Sequence, residues 1–171
     1  MKRMWWTTCR AVIVGLMLVL MGAGDAAAAD VASDFTLRDM NGQKVNLSDF
    51  KGQVILMSFW ATWCGPCKVE MTHLNKLYEA RKGDGFVVVS VSSDDARSAS
   101  QVKPYIRKMR YQFPVLLDRQ SVVTSTYNPT KTLPYTVIID RQFNIAKVHA
   151  GYNPGDEVEI NHFVEGLLAA K

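Results

Sequence analysis

Two nearly unbroken apolar runs constrain the fold of this chain more than any other feature. They are VILMSFW at residues 54–60 and FVVVSV at residues 86–91. Apolar runs of this length without alternation are typical of strands buried on both faces of a parallel sheet. Between them, residues 66–82 carry apolar side chains at helical spacing, and the GDG segment at 83–85 predicts the end of that helix. This order predicts a right-handed βαβ unit with two parallel central strands.

The segments on either side extend this unit into a larger sheet. Residues 35–37 and 44–47 flank an Asn-Gly turn and predict an N-terminal β-hairpin. Further along, the pattern predicts a helix at 100–110, a strand at 113–117, a short helix or turn at 121–127, a β-hairpin of strands 135–139 and 145–149, and a closing helix at 156–170. We therefore predict an α/β fold with three layers, α/β/α, around a mixed central sheet.

The first 29 residues have the layout of a secretory signal peptide. Met1–Arg10 carries three basic residues and no acidic one, Ala11–Gly24 is uncharged and apolar, and four alanines end at Ala29. The apolar run is shorter than the about 20 residues that a membrane span needs. We expect a signal peptide at 1–29, cleaved after Ala29, and one domain at 30–171; an uncleaved membrane anchor is the alternative.

Charge and cysteine content narrow the range of functions expected for the exported domain. Residues 30–171 have a net charge of +2 and no dense Lys/Arg cluster, which gives no reason to expect a nucleic-acid partner. Cys9 falls in the signal peptide, so Cys64 and Cys67 are the two cysteines of the domain. A structural disulfide usually closes a longer loop, and spare thiols are a liability in an oxidising compartment. The close pair therefore favours redox chemistry.

The cysteines lie in WCGPC, where the first buried strand gives way to the helix. A helix N-terminus favours a thiolate over a thiol. We therefore expect Cys64 to be exposed and to act as the attacking sulfur, with Cys67 one turn further in and more covered. Pro66 suits the first helical turn, and Gly65 is expected to let the backbone turn tightly.

These residues resemble the thioredoxin family, in particular its exported TlpA/ResA-like (DsbE/CcmG-like) branch. WCGPC matches the thioredoxin active-site motif, and FWATWCGPCKVEM, the N-terminal hairpin segment and TLPY at 132–135 resemble the exported branch. The resemblance covers about residues 33–170. It implies a thioredoxin-like domain and a cis peptide bond before Pro134, beside the active site.

The resemblance also implies a surface for the client protein. In the family, the backbone before the cis-proline pairs with the substrate like an added strand. Trp63, Gly65, Pro66, Leu133 and Pro134 are the residues that this implies for substrate binding.

Glu70 is the remaining candidate at the site. It lies three residues after Cys67, which keeps it on one helix face. In the ResA-like branch a Glu at this position is tied to activity, so we hypothesise that Glu70 tunes or accepts the proton of Cys67; a solvated first-turn Glu is the alternative. The sequence departs from related patterns twice: Ser58 stands where cytoplasmic thioredoxins bury an Asp, and Thr72 where the branch has Pro.

The resemblance implies an extracytoplasmic thiol–disulfide oxidoreductase, in the periplasm or on the outer face of the bacterial cytoplasmic membrane. We expect a reductase of client disulfides, for example in cytochrome c maturation, with a membrane dithiol as electron donor and no dissociable cofactor. A disulfide oxidase or isomerase on the same fold and a non-catalytic copper-delivery or binding module are the alternatives. We expect no metal site, because the other candidate ligands, His73, His149 and His162, are scattered.

Overall fold

A computed structural model describes residues 30–170; the predicted signal peptide, with Cys9, lies outside the described residues. The strands are β1 (Thr36–Asp39), β2 (Lys44–Asn46), β3 (Val54–Trp60), β4 (Phe86–Ser92), β5 (Val115–Leu117), β6 (Tyr135–Ile139) and β7 (Ile145–Ala150). The α-helices are α1 (Gly65–Arg81), α2 (Val102–Met109), α3 (Val122–Tyr127) and α4 (Asp156–Ala169).

The strands form one mixed sheet in the order β2-β1-β5-β4-β3-β6-β7. β3 pairs in parallel with β4, which pairs in parallel with β5, so the predicted βαβ unit is confirmed. β6 runs antiparallel to β3 and to β7. The N-terminal hairpin is attached through β1, antiparallel to β5, and it extends the sheet at that edge.

Alternate residues of the central strands supply two separate cores. Leu56 and Trp60 of β3 face a layer that contains α1, α2 and α4. Ile55 and Phe59 face the opposite layer, which contains α3. All of β3 and β4 is buried, as the apolar runs predicted. The three-layer α/β/α arrangement around a mixed sheet is confirmed.

Several boundaries differ from the sequence predictions by one or two residues, and two of these differences have a visible local cause. The helix predicted at 100–110 begins as a 3₁₀ turn at Ala99–Gln101 and ends at Met109, because Arg110 adopts a left-handed conformation. The strand predicted at 113–117 starts at Val115, the first residue after Pro114 to pair with β4. None of the helices in residues 30–170 combines the length and apolar character needed to cross a membrane.

Candidate active site

The WCGPC motif lies at the edge of the sheet where the parallel strands end. β3 ends at Trp60 and α1 begins at Gly65, so the motif forms the connection between them. β6 runs antiparallel to β3 and pairs Tyr135 with Phe59, which brings Pro134 to the same edge. Chemistry in open α/β sheets is typically found at this edge, beyond the carboxyl ends of the strands.

Cys64 and Cys67 form a disulfide at the N-terminus of α1. Their Cα atoms are 5.3 Å apart. Cys64 is the N-cap of the helix, and its Sγ accepts a hydrogen bond of 3.2 Å from the Cys67 backbone N–H. A donor aimed at this sulfur, together with the positive end of the helix dipole, stabilises a thiolate at Cys64 once the disulfide is reduced.

The surroundings of the disulfide are exposed on one side. Trp63 has 68% of its surface exposed, and Gly65 and Pro66 are exposed as well. The expectation that Cys64 itself is exposed is wrong for this oxidised form, because its residue surface is only 6% accessible; Cys67, at 0%, is the more covered of the two, as predicted. Cys64 therefore presents only a small accessible patch, within a rim of exposed residues.

The structure agrees with the prediction made for Pro66 but not with the one made for Gly65. Pro66 lies in the first turn of α1, as predicted. The expectation that Gly65 lets the backbone turn tightly is not supported, because the position does not require glycine: its φ is not in the left-handed region, and a Cβ added there would meet no atom within 4 Å. The open space around Gly65 leaves room for the approach of another molecule.

Glu70 is buried in the core, with 1% of its surface exposed. Its Oε2 accepts a hydrogen bond of 2.8 Å from the Ser58 hydroxyl, and its Oε1 accepts one of 2.8 Å from the Thr136 hydroxyl. Burial raises the pKa of Glu70, and the two hydroxyl donors partly oppose that shift. The alternative of a solvated first-turn Glu is therefore wrong. Glu70 lies one turn beyond Cys67, on the same buried face of α1.

The structure shows what Ser58 and Thr72, the two departures from related sequence patterns, do in this protein. A buried carboxyl group is present next to Ser58, but α1 supplies it instead of β3. Thr72 lies within the uninterrupted helix α1, and its hydroxyl donates to the Lys68 carbonyl oxygen at 3.1 Å. The same hydroxyl is 2.9 Å from the Tyr111 hydroxyl, so it ties α1 to the segment after α2.

The peptide bond between Leu133 and Pro134 is cis, as the resemblance implied. Pro134 is buried and Leu133 is half-buried. The Pro134 carbonyl oxygen accepts a hydrogen bond of 2.8 Å from the Gly151 N–H, and the Asn128 side chain donates to the Thr132 carbonyl oxygen at 2.7 Å. Both contacts fix the segment on either side of the cis bond at the active-site edge.

Asp94 contributes to this site, and the sequence reasoning missed it. The neighbouring Asp95 accepts the N–H groups of Arg97 and Ser98, just before the 3₁₀ turn at Ala99–Gln101. Asp94 is instead buried, and it accepts the Thr62 N–H at 2.9 Å and the Thr62 hydroxyl at 2.5 Å. The sequence feature that could have identified Asp94 is its position just after β4, the strand that runs parallel to β3, because functional side chains are often found beyond the carboxyl ends of such strands.

A strand–helix junction carrying a Cys-X-X-Cys disulfide, with a cis-proline at the same edge of a mixed sheet, defines a thiol–disulfide oxidoreductase with a thioredoxin-like fold. Comparisons with known proteins agree with this class. The AhpC/TSA family model matches residues 28–148. The chain therefore belongs to the AhpC/TSA family of thioredoxin-like proteins.

Individual relatives point to the same chemistry. The thiol-disulfide oxidoreductase ResA of Geobacillus kaustophilus is 32% identical over 133 residues, which are 78% of this chain and 75% of that protein. ResA of Geobacillus thermodenitrificans is 28% identical over 169 residues, 93% of this chain and 95% of that protein. A crystal structure described as a thiol:disulfide interchange protein DsbE from Chlorobium tepidum aligns with a TM-score of 0.76 and 30% identity, over 82% of this chain and 97% of that one.

Proposed function

We propose that this thiol–disulfide oxidoreductase reduces disulfides of client proteins outside the cytoplasm, with Cys64 as nucleophile, Cys67 as resolving thiol and Glu70 as proton acceptor. The observation that carries the proposal is the buried Glu70 carboxyl group, held by two hydroxyl donors one helical turn beyond Cys67. A buried titratable group beside a reactive pair is a typical arrangement for proton transfer.

The reaction starts from the reduced dithiol. The Cys64 thiolate, stabilised by the Cys67 N–H and the helix N-terminus, attacks one sulfur of the client disulfide. The client's S–S bond breaks, a mixed disulfide forms between Cys64 and the client, and the other client sulfur leaves as a thiolate. The exposed residues Trp63, Gly65 and Pro66, with Leu133 and Pro134 at the same edge, form the surface that receives the client in this proposal.

Resolution uses the second cysteine. The Cys67 thiol gives its proton to the Glu70 carboxylate, and its sulfur attacks the Cys64 Sγ. The client leaves as a thiolate, and the Cys64–Cys67 disulfide is restored, as in the present structure. The two electrons gained by the client come from the two cysteine sulfurs, so the proposal includes no dissociable cofactor.

The proposed site of action rests on the N-terminal sequence. The layout of residues 1–29 supports export to the periplasm or to the outer face of a bacterial cytoplasmic membrane. A reductase in an oxidising compartment needs an electron supply, and a membrane dithiol protein is the donor that we propose. Reduction of haem-attachment cysteines in cytochrome c maturation is the proposed role.

A resolving-cysteine variant tests this function. Cys67→Ser should accumulate a mixed disulfide between Cys64 and a client when the full chain is produced in an exporting bacterium, because resolution is blocked. Non-reducing electrophoresis and mass spectrometry of the trapped species measure it, and Cys64→Ser is the matched control that should trap nothing. Absence of any Cys64-linked client in Cys67→Ser would contradict the proposal. Tight Cu(I) binding by the reduced wild type without trapping would support the copper-delivery alternative.

A further inference from the structure

A row of polar side chains crosses the sheet beneath α1. Ser90 of β4, Ser58 of β3, Thr136 of β6 and His149 of β7 are successive register partners. Glu70 reaches down from α1 and accepts a hydrogen bond from each of the two middle members. Directly opposite residues of an antiparallel pair present their side chains to one face, with Cβ atoms about 4.5–5.5 Å apart. His149 is therefore the immediate neighbour of the hydroxyl group that holds Glu70.

The row runs from the buried carboxyl group to the edge of the sheet. The His149 side chain is 21% exposed, on the edge strand β7. Its Nε2 lies 2.9 Å from Oδ2 of Asp156, in the first turn of α4. The Asn153 N–H donates to the same carboxylate oxygen at 2.7 Å. A histidine–carboxylate pair thus stands between Glu70 and the solvent.

The charges of this pair act on Glu70 in opposite directions. A protonated His149 lowers the pKa of Glu70 and the Asp156 carboxylate raises it, on top of the larger upward shift that burial causes. The pKa of Asp156 is itself lowered, first by the Asn153 N–H, so this carboxylate stays ionised at neutral pH. The net field at Glu70 therefore depends on the charge of His149.

Other charged groups face this pair from every neighbouring element. Tyr152 donates to Glu157, and burial is the first cause that raises the pKa of Tyr152 to about 12, so it stays neutral near pH 7. The pKa of Glu157 is lowered by this contact. The remaining groups are the Lys147–Glu159 ion pair between β7 and α4, and His73 of α1, whose ring stacks on Tyr152 at 6.1 Å.

We propose that His149 is a positioning residue that controls the ionisation of Glu70, and through it the transfer of the Cys67 proton during resolution. This inference rests on the proposed role of Glu70 as proton acceptor. In the resolution step the Cys67 S–H bond breaks, the proton binds a Glu70 oxygen, and the sulfur's electron pair forms the bond to Cys64 as the client thiolate leaves. A positively charged His149 keeps the acceptor carboxylate ionised at lower pH.

The test measures the ionisation of the Glu70 carboxyl group directly. It uses the oxidised full chain, in which the two active-site cysteines carry no titrating proton. Glutamate labelled with ¹³C at the carboxyl carbon is titrated by NMR, and the Glu70 signal is assigned by its loss in Glu70→Gln. His149→Gln should move the Glu70 midpoint to higher pH, because a stabilising positive charge is lost. His149→Lys, which keeps a positive charge, should leave the midpoint at or below that of the wild type.

His162→Gln is the matched control, because it removes an exposed histidine of α4 and should leave the Glu70 midpoint unchanged. The inference is overturned if His149→Gln leaves the Glu70 midpoint where it is in the wild type. It is also overturned if His149→Gln and His149→Lys move it in the same direction, or if His162→Gln moves it as far as His149→Gln does.

A second readout separates this inference from the proposed function. The rate at which the reduced protein is oxidised by oxidised glutathione is followed against pH. His149→Gln should be slower than the wild type on the acidic side and converge with it at high pH, whereas a structural defect would slow the reaction at every pH. If Glu70→Gln matches the wild type in rate and pH profile, the proposed role of Glu70 fails. If Glu70→Gln is slow but the Glu70 midpoint does not respond to His149→Gln, only the role of His149 fails.

Discussion

At the scale of single residues, the turn that carries Trp63 and Cys64 depends on Asp94, which lies just beyond the neighbouring strand β4. Asp94 accepts the N–H and the hydroxyl of Thr62, and it also accepts the Ser92 hydroxyl at 2.9 Å. Asp94 is itself almost fully buried. Removing a buried acceptor leaves its donors without partners, which costs more than the net value of the hydrogen bonds themselves.

Asp94→Ala should therefore destabilise the oxidised protein by about 1–3 kcal/mol. Urea denaturation followed by circular dichroism measures this free energy of unfolding. Asp95→Ala is the matched control: Asp95 is the adjacent residue, but its side chain is about half exposed and its charged partner Arg97 is open to solvent, so its loss should cost less. Equal unfolding midpoints for the two variants would contradict the role assigned to Asp94.

Sequence reasoning identified the residues of the motif but not the contacts among them. Cys64, Cys67 and Pro134 were predictable from the WCGPC and TLPY motifs and the family resemblance. The structure contains both the Cys64–Cys67 disulfide and the cis peptide bond before Pro134. The position of Glu70 one turn beyond Cys67 was also predictable, because it depends on helical spacing alone. Its partners, Ser58 and Thr136, were not, because they lie 12 and 66 residues away and meet only when the sheet has formed.

At the scale of elements, apolar periodicity located the strands and helices well because most of them are strongly patterned. β6 was predicted with its observed bounds, and α1 and α4 within one residue at each end. The place of the N-terminal hairpin beside β5 was not predictable, since the strands of the hairpin carry no signal for their outer partner. The Thr72–Tyr111 contact that joins α1 to the segment after α2 is likewise a tertiary feature.

Thr72→Val tests the importance of that contact for the docking of α1. Loss of one hydroxyl–hydroxyl bond should lower the free energy of unfolding by about 0.5–1.5 kcal/mol more than a matched change elsewhere. Thr126→Val in α3 is that control, because Thr126 makes the same bond to the carbonyl four residues earlier but has no cross-element partner. Urea denaturation measures the free energy of unfolding of both variants. An equal decrease in the two would show that the contact with Tyr111 does not stabilise the docking of α1.

At the scale of the whole molecule, the buried Glu70 links global stability to pH. Burial raises its pKa in the folded state above the unfolded value of about 4.5. The folded state therefore holds this proton more tightly than the unfolded chain does. The corresponding stabilisation is fully present below the unfolded pKa and is lost as the pH rises through the folded pKa.

Glu70→Gln should remove this pH dependence, because the amide cannot ionise. The free energy of unfolding of the wild type should fall relative to Glu70→Gln as the pH rises from acid to neutral, while the two stay parallel below about pH 4. Thermal or urea denaturation across that range measures the difference, with Glu79→Gln on the exposed side of α1 as a control that should show no such trend. A constant difference between wild type and Glu70→Gln at every pH would contradict a raised pKa for Glu70.

The central claim, that the Cys64–Cys67 pair donates electrons to client disulfides, is tested most directly by its reduction potential. The protein is equilibrated in dithiothreitol or glutathione buffers of defined potential, and the fraction of the Cys64–Cys67 disulfide is measured by thiol alkylation and peptide mass. A reductase should give a value near about −250 mV or lower, in the range of thioredoxin. A value near about −120 mV, typical of a strong oxidant, would contradict the claim and assign the protein to disulfide formation.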